Sequence, residues 1–184
     1  RISQDFVEIG TYAVAAAITR GSLTLTNCTL EDLEPVFMPL EEFGVSVEKI
    51  GEDKIKVFAD ELKSVERLHV RPWPGFPTDL MSVTIVLATQ APGITLLHDW
   101  MYESRMFFVD KLINMGANII IADPHRVLVY GPCKLKGREL ETPDIRAGMA
   151  LVLASLCAKG TSIINKAELI ERGYEDVVGN LIRL

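Results

Sequence analysis

Apolar residues in this chain follow two rhythms, and the rhythms alternate in a fixed order. A first stretch beginning at Asp5 carries GTYAVAAAITRGSLTLTN: a helix-spaced apolar run, Gly21, then the alternation of a short strand. The pattern returns over 78–99 as TDLMSVTIVLATQAPGITLLHD and over 144–165 as DIRAGMALVLASLCAKGTSIIN. Gly21, Gly93 and Gly160 close the three helices, where glycine is expected to adopt the left-handed conformation.

A second half follows each helix and strand. Leu33, Val36, Phe37 and Leu40 fall at helical spacing before Gly44. Val45/Val47 and Ile55/Val57 then alternate as a hairpin around Gly51-Glu52-Asp53. In the next unit Val109, Leu112 and Ile113 precede Gly116, and Ile119/Ile121 and Val127/Val129 flank Asp123-Pro124-His125. Gly21 and Gly93 are 72 positions apart, and so are Gly44 and Gly116. Helix-rich segments recur by chance in any α/β protein, but two independent landmarks sharing one offset argue for duplication.

The third unit starts in the same way. Its second helix is predicted from about Gly173 to Leu184, and its closing hairpin falls past the last residue. Strands before the helices fit 68–70 and 138–141, and Arg1–Ile2 is all that remains of such a strand in the first unit. The expected architecture is α/β (α+β): three strand-helix-strand-helix-strand-strand repeats at about 1–60, 66–131 and 137–184, the last truncated. Amphipathic helices over small mixed sheets bury one face each, so the helices should pack inward with the sheets outside.

Composition narrows the function classes. The 184 residues are 48% hydrophobic and 24% charged, as in a soluble protein of one domain or two compact lobes. A net charge of −6 without a Lys/Arg run offers no footprint for nucleic acid or an anionic membrane. The most apolar stretch, 147–158, is shorter than the roughly 20 residues a membrane span requires. It presents a core-helix face at Ala147, Ala150, Leu151, Ala154 and Cys157. No signal peptide is visible, and both ends read as cuts, since the chain opens at Arg1 in mid-pattern. Cys28, Cys133 and Cys157 are widely spaced, and no Cys/His cluster accompanies them. They read as small apolar residues in a reducing, cytoplasmic setting, with no metal and no cofactor expected. His69, His98 and His125 have neither triad nor ligand spacing.

The candidate chemistry sits at four runs. Pro72-Trp73-Pro74-Gly75-Phe76-Pro77 is too proline-rich for a central strand and delivers Thr78 and Asp79 to a helix start. Asp79 alone would read as a helix cap. The other runs are Glu103-Ser104-Arg105-Met106, Thr142-Pro143-Asp144-Ile145-Arg146-Ala147 and Ile170-Glu171-Arg172-Gly173-Tyr174-Glu175. Together, in this order and spacing, they resemble the enolpyruvyl transferases of the UDP-N-acetylglucosamine 1-carboxyvinyltransferase type, over essentially the whole chain. The resemblance implies a two-lobed inside-out α/β fold with three repeats per lobe, and this chain as one lobe. It implies transfer of the enolpyruvyl group of phosphoenolpyruvate to the 3'-hydroxyl of UDP-N-acetylglucosamine, in peptidoglycan synthesis.

By that resemblance Asp79 is the catalytic aspartate. Met101, Arg105, Asp144, Arg146 and Arg172 are substrate-binding residues, with Met101 contacting the UDP-sugar through its backbone. Ser104, Met106, Pro143 and Glu171 depart from the family pattern. The family's other lobe supplies a mobile loop with a reactive cysteine, a Lys-Asn pair and further arginines. None of these is visible here, so the chain alone is expected to be inactive and to need the missing lobe as partner. Addition of a hydroxyl to phosphoenolpyruvate calls for a base near the hydroxyl and an acid at C3. Forked guanidiniums suit a compact polyanion better than lysines do. Three alternatives remain open at the level of sequence. One is a 5-enolpyruvylshikimate-3-phosphate synthase lobe. Another is a non-catalytic nucleotide-sugar-binding or interaction module. The third is that Arg105, Arg146 and Arg172 merely pair with Glu103, Asp144 and Glu171 at the surface.

Overall fold

A computed structural model describes residues 4–183. The proposed strand remnant at Arg1–Ile2 lies outside the described residues. The first unit runs α1 (Phe6–Ile18), β1 (Ser22–Thr26), a 3-10 turn leading into α2 (Glu34–Glu42), then β2 (Ser46–Lys49) and β3 (Lys54–Phe58). The second runs β4 (Arg67–His69), a 3-10 turn at Thr78–Leu80 and α3 (Met81–Gln90), followed by β5 (Gly93–His98), α4 (Val109–Asn114), β6 (Asn118–Asp123) and β7 (Arg126–Gly131). The third holds β8 (Glu139–Glu141), α5 (Ile145–Cys157), β9 (Ile163–Asn165), a 3-10 segment at Ala167–Arg172 and α6 (Val177–Ile182).

The sheets repeat one plan. Their strand orders are β1-β3-β2, β4-β5-β7-β6 and β8-β9. In the first two, the strand after the leading helix pairs antiparallel with the last strand of the unit. In the last two, the strand before the leading helix pairs parallel with the strand after it.

The three leading helices form the centre. α1, α3 and α5 contact one another, and every residue from Met81 to Thr89 of α3 is buried. A helix that is buried all round is apolar all round, and MSVTIVLATQ has that character. Two of its buried hydroxyls bond locally: Thr84 donates to the Leu80 carbonyl at 2.8 Å and Thr89 to the Val86 carbonyl at 2.6 Å. α2 lays Val36, Phe37 and Leu40 on this core, and α4 adds Val109 and Leu112.

Several expectations change in detail. Gly44, Gly93, Gly116 and Gly160 take positive φ, but at the end of α1 it is Arg20, at φ 55°, that turns left-handed instead of Gly21. The predicted helix 173–184 shortens to Val177–Ile182, because Asp176 takes φ 43° and starts a new cap by accepting the Gly179 N–H. α5 buries more than one face: Gly148, Met149 and Leu153 are buried along with Ala147, Ala150, Leu151 and Ala154. The Ile119/Ile121 alternation breaks at a register shift between Ile121 and Asp123, and Ile121 is exposed. Cys28 is buried, whereas Cys133 and Cys157 are half-buried.

Candidate active site

The start of α3 and the start of α5 lie side by side, and this brings the sequence motifs together. Pro77 is extended at φ −75° and ψ 140°, ending the proline-rich segment and beginning the turn that carries Asp79. No side-chain cap bond is made at this helix start, so Asp79 is not a simple cap. Its carboxylate faces two arginines. Arg105 lies in the turns after β5, and its Nη2 is 3.4 Å from Asp79 Oδ1. Arg146 lies in the first turn of α5, with Nε 3.3 Å from Oδ1 and Nη2 3.4 Å from Oδ2. These separations exceed the roughly 2.8 Å of a tight charge-assisted bond. Both guanidiniums therefore keep donor capacity for another anion. Among the described residues, no ion pair joins Arg105 to Glu103 or Arg146 to Asp144.

Two residues hold Arg146 from behind. Its guanidinium carbon lies 5.3 Å from the centre of the Tyr174 ring, and Nη1 donates to the Gly173 carbonyl at 3.4 Å. Burial works against the Arg146 charge, but Tyr174 and Asp79 outweigh it and hold the guanidinium above the ordinary arginine value. Burial also pushes the Tyr174 phenol up, against the pull of Thr11 and Arg146. Tyr174 Oη pairs with Thr11 Oγ1 at 3.0 Å, which ties α1 to the same cluster. All three units thus contribute to one place.

The remaining predicted residues fall around this centre in different ways. Asp144 caps α5, accepting the N–H groups of Arg146 and Ala147 at 2.9 Å each. Met101 is exposed, and its N–H is taken by Asp99 Oδ1 at 3.0 Å. Arg172 is exposed, and among the described residues it makes no ion pair or hydrogen bond with the Asp79 cluster. Gly173 takes the inward place, because its carbonyl receives Arg146, and Arg172 is left on the outer side of the turn. The cluster opens to solvent at Asp79, whose side chain is 39% exposed. A groove of about 570 Å³ lies elsewhere, between α1, β1 and α6, and includes none of these residues.

Sequence reasoning missed Asp99 and gave no role to Tyr174. Tyr174 belongs to a run already singled out. Asp99 ends the second repeat's strand and carries no local signal of burial, yet it is fully buried.

Comparison with known proteins now bears on this geometry. The family model of EPSP synthase (3-phosphoshikimate 1-carboxyvinyltransferase) matches residues 1–181. The chain belongs to this family. It is 47% identical over 184 residues to UDP-N-acetylglucosamine 1-carboxyvinyltransferase of Bradyrhizobium diazoefficiens, covering 96% of this chain and 43% of that protein. It is 45% identical over 188 residues to the protein of the same name from Treponema denticola, covering 98% and 44%. Among solved structures, the enolpyruvyl transferase NikO from Streptomyces tendae superposes with a TM-score of 0.88 at 26% identity, over 100% of this chain and 43% of that one. EPSP synthase from Acinetobacter baumannii, at TM-score 0.74 and 19% identity over 99% and 46%, shares the fold. The chain spans less than half the length of these relatives. As in other members of the family, the arrangement is mixed α/β, here with the helices central.

Proposed function

We propose that this chain is a single lobe, built of the units 1–60, 66–131 and 137–184, of an enzyme that transfers the enolpyruvyl group of phosphoenolpyruvate to the 3'-hydroxyl of UDP-N-acetylglucosamine. The observation that carries this reading is one carboxylate, Asp79, bracketed by Arg105 and Arg146, which come from separate units. Asp79 serves as base toward, or orients, the attacking hydroxyl. The hydroxyl oxygen adds to C2 of phosphoenolpyruvate, its proton passing to the base while C3 gains one from an acid; the tetrahedral intermediate then expels phosphate as C3 gives up a proton, which restores the C2–C3 double bond. Arg105 and Arg146 bind the carboxylate and phosphate and meet the charge that develops as the intermediate collapses. The Met101 backbone and Asp144 face the UDP-sugar side, and Arg172 extends the anion site from the surface.

Charge counting supports the need for a second lobe. Two guanidiniums face two carboxylates, Asp79 and Asp99, so the cluster is balanced by itself. A compact polyanion needs more positive charge than this, and the missing lobe is the proposed source. The names of the curated relatives support the UDP-sugar reading over shikimate 3-phosphate. They also support a place in peptidoglycan synthesis, cell wall biogenesis and hence cell shape and division. The resemblance to the curated relatives supports the cytoplasmic location proposed here; no helix among the described residues is long and apolar enough to cross a membrane.

The test is calorimetric binding of UDP-N-acetylglucosamine and shikimate 3-phosphate to the chain, followed by phosphate-release kinetics in the two-lobed enzyme. UDP-N-acetylglucosamine should bind and shikimate 3-phosphate should not. The isolated chain should not turn over. Asp79→Asn in the two-lobed enzyme should lower kcat by about 10²–10⁴, as expected for loss of a general base. Preference for shikimate 3-phosphate, or full activity of Asp79→Asn, would overturn the reading.

A further inference from the structure

A buried carboxylate that the proposed chemistry does not use sits directly behind the site. Asp99, at the end of β5, is 0% exposed. A charge in such a place is costly unless it is paired and hydrogen-bonded, and here three hydrogen bonds and an ion pair meet it. Oδ1 accepts the N–H groups of Met101 at 3.0 Å and Tyr102 at 3.1 Å. Oδ2 accepts the Thr78 hydroxyl and lies 3.7 Å from Arg105 Nε. The Asp99 backbone is stapled at both ends to the β6–β7 turn: its N–H donates to the His125 carbonyl, and its own carbonyl meets His125 Nδ1, each at 2.8 Å.

The side-chain partners of Asp99 are the neighbours of the proposed catalytic groups. Thr78 precedes Asp79, Met101 and Tyr102 form the loop at the rim, and Arg105 reaches Asp79 with its far end. Arg105 is only 6% exposed, its guanidinium lies 4.5 Å from the centre of the Tyr102 ring, and its Nε has no hydrogen-bond partner among the described residues. Asp99 Oδ2 lies 3.7 Å from Nε, just beyond bonding distance. We propose that Asp99 is a positioning residue: it holds Arg105 from the protein side so that the outer N–H groups of the guanidinium present to Asp79 and to an anion bound beside it. Thr78 shares the same oxygen and sets how closely Arg105 approaches. The inference deepens the anion-binding role given to Arg105 and rests on it.

The test reads Arg105 directly, without a ligand, and then with phosphoenolpyruvate as probe. In ¹⁵N-labelled chain, the Arg105 Nε–H signal is assigned by its loss in Arg105→Lys. Asp99→Asn keeps an acceptor for Met101 and Tyr102 and should fold, but it should speed exchange of the Nε–H by about tenfold or more as the charged partner is lost. Thr78→Val should act in the opposite sense, because Oδ2 is freed for Nε, slowing exchange and moving the signal downfield. With phosphoenolpyruvate in the two-lobed enzyme, Asp99→Asn should raise KM about tenfold, a change expected when a charged hydrogen-bonding group is displaced. In an Arg105→Ala background the same substitution should change KM no further, whereas a merely structural role for Asp99 would leave its effect undiminished. An Nε–H that responds to neither Asp99→Asn nor Thr78→Val overturns the proposal, as does an additive double mutant. If the Nε–H responds but wild-type enzyme does not use phosphoenolpyruvate, the positioning role stands and the enolpyruvyl reading fails.

Discussion

At the scale of residues, the same side-chain type takes different work from its surroundings. Asp79 and Asp144 both stand at the start of a leading helix, yet Asp144 gives its oxygen to the helix N–H groups and Asp79 gives its oxygens to arginines. Removing the Asp144 carboxylate should therefore cost about 1 kcal/mol, the usual worth of a cap. Asp144→Ser should restore most of that stability in urea titration. If Asp144 also touches substrate, Asp144→Ser will bind UDP-N-acetylglucosamine more weakly despite its restored fold. Cys157 shows environment acting on a thiol. Burial pushes it from 9.0 up to about 11. At pH 8 its thiolate population, and its alkylation rate, should be about a hundredfold below those of an unshifted thiol. Peptide mass spectrometry after timed iodoacetamide treatment measures this. The linkage has a definite sign: the neutral thiol is favoured in the fold, so its contribution is complete below about pH 9 and is lost as pH rises toward 11.

At the scale of elements, the repeat explains why some glycines cannot be exchanged. Gly44 follows α2 at φ 88°, and a Cβ there would stand 2.2 Å from the Glu61 carbonyl oxygen. The connector from β3 to β4 is held against this turn, with the Lys63 N–H donating to the Phe43 carbonyl at 2.8 Å. Strain and overlap together should make Gly44→Ala lose about 2–4 kcal/mol in denaturant unfolding. Gly160 also has positive φ, but nothing lies within 4 Å of its Cβ position. Its substitution should cost the backbone strain alone, about 1 kcal/mol. Both glycines follow a helix in the sequence pattern, and their neighbours separate them.

At the scale of the molecule, stability and site share one scaffold. α1, α3 and α5 touch each other, and the Asp79 cluster sits where the first turns of α3 and α5 meet, with Thr11 of α1 joined to it through Tyr174. Ile85 is fully buried in α3. Ile85→Ala should cost about 2–5 kcal/mol, the range for emptying a core site. Thermal unfolding should fall as one transition, because the three units share this core. Phosphoenolpyruvate affinity measured well below the new midpoint should change little, since the helix starts remain paired. Loss of affinity in step with loss of stability would show that the site depends on core packing more closely than its geometry indicates.

The residue pattern by itself determined the repeat, its leading helices and hairpins, and the runs that carry Asp79, Arg105 and Arg146. Period and glycine placement are local properties, and local chemistry writes them into the chain. Tertiary structure decided which of these residues meet. Arg146 turns inward because Tyr174 and the Gly173 carbonyl receive it, and Arg172, in the same run as those two, stays in solvent. It also decided that Asp99 is buried, since the partners that make its charge tolerable come from Thr78, Met101, Tyr102 and Arg105. No periodicity encodes such a set: burying a charge depends on what several loops supply at one point in space, and that is settled only when the helices pack.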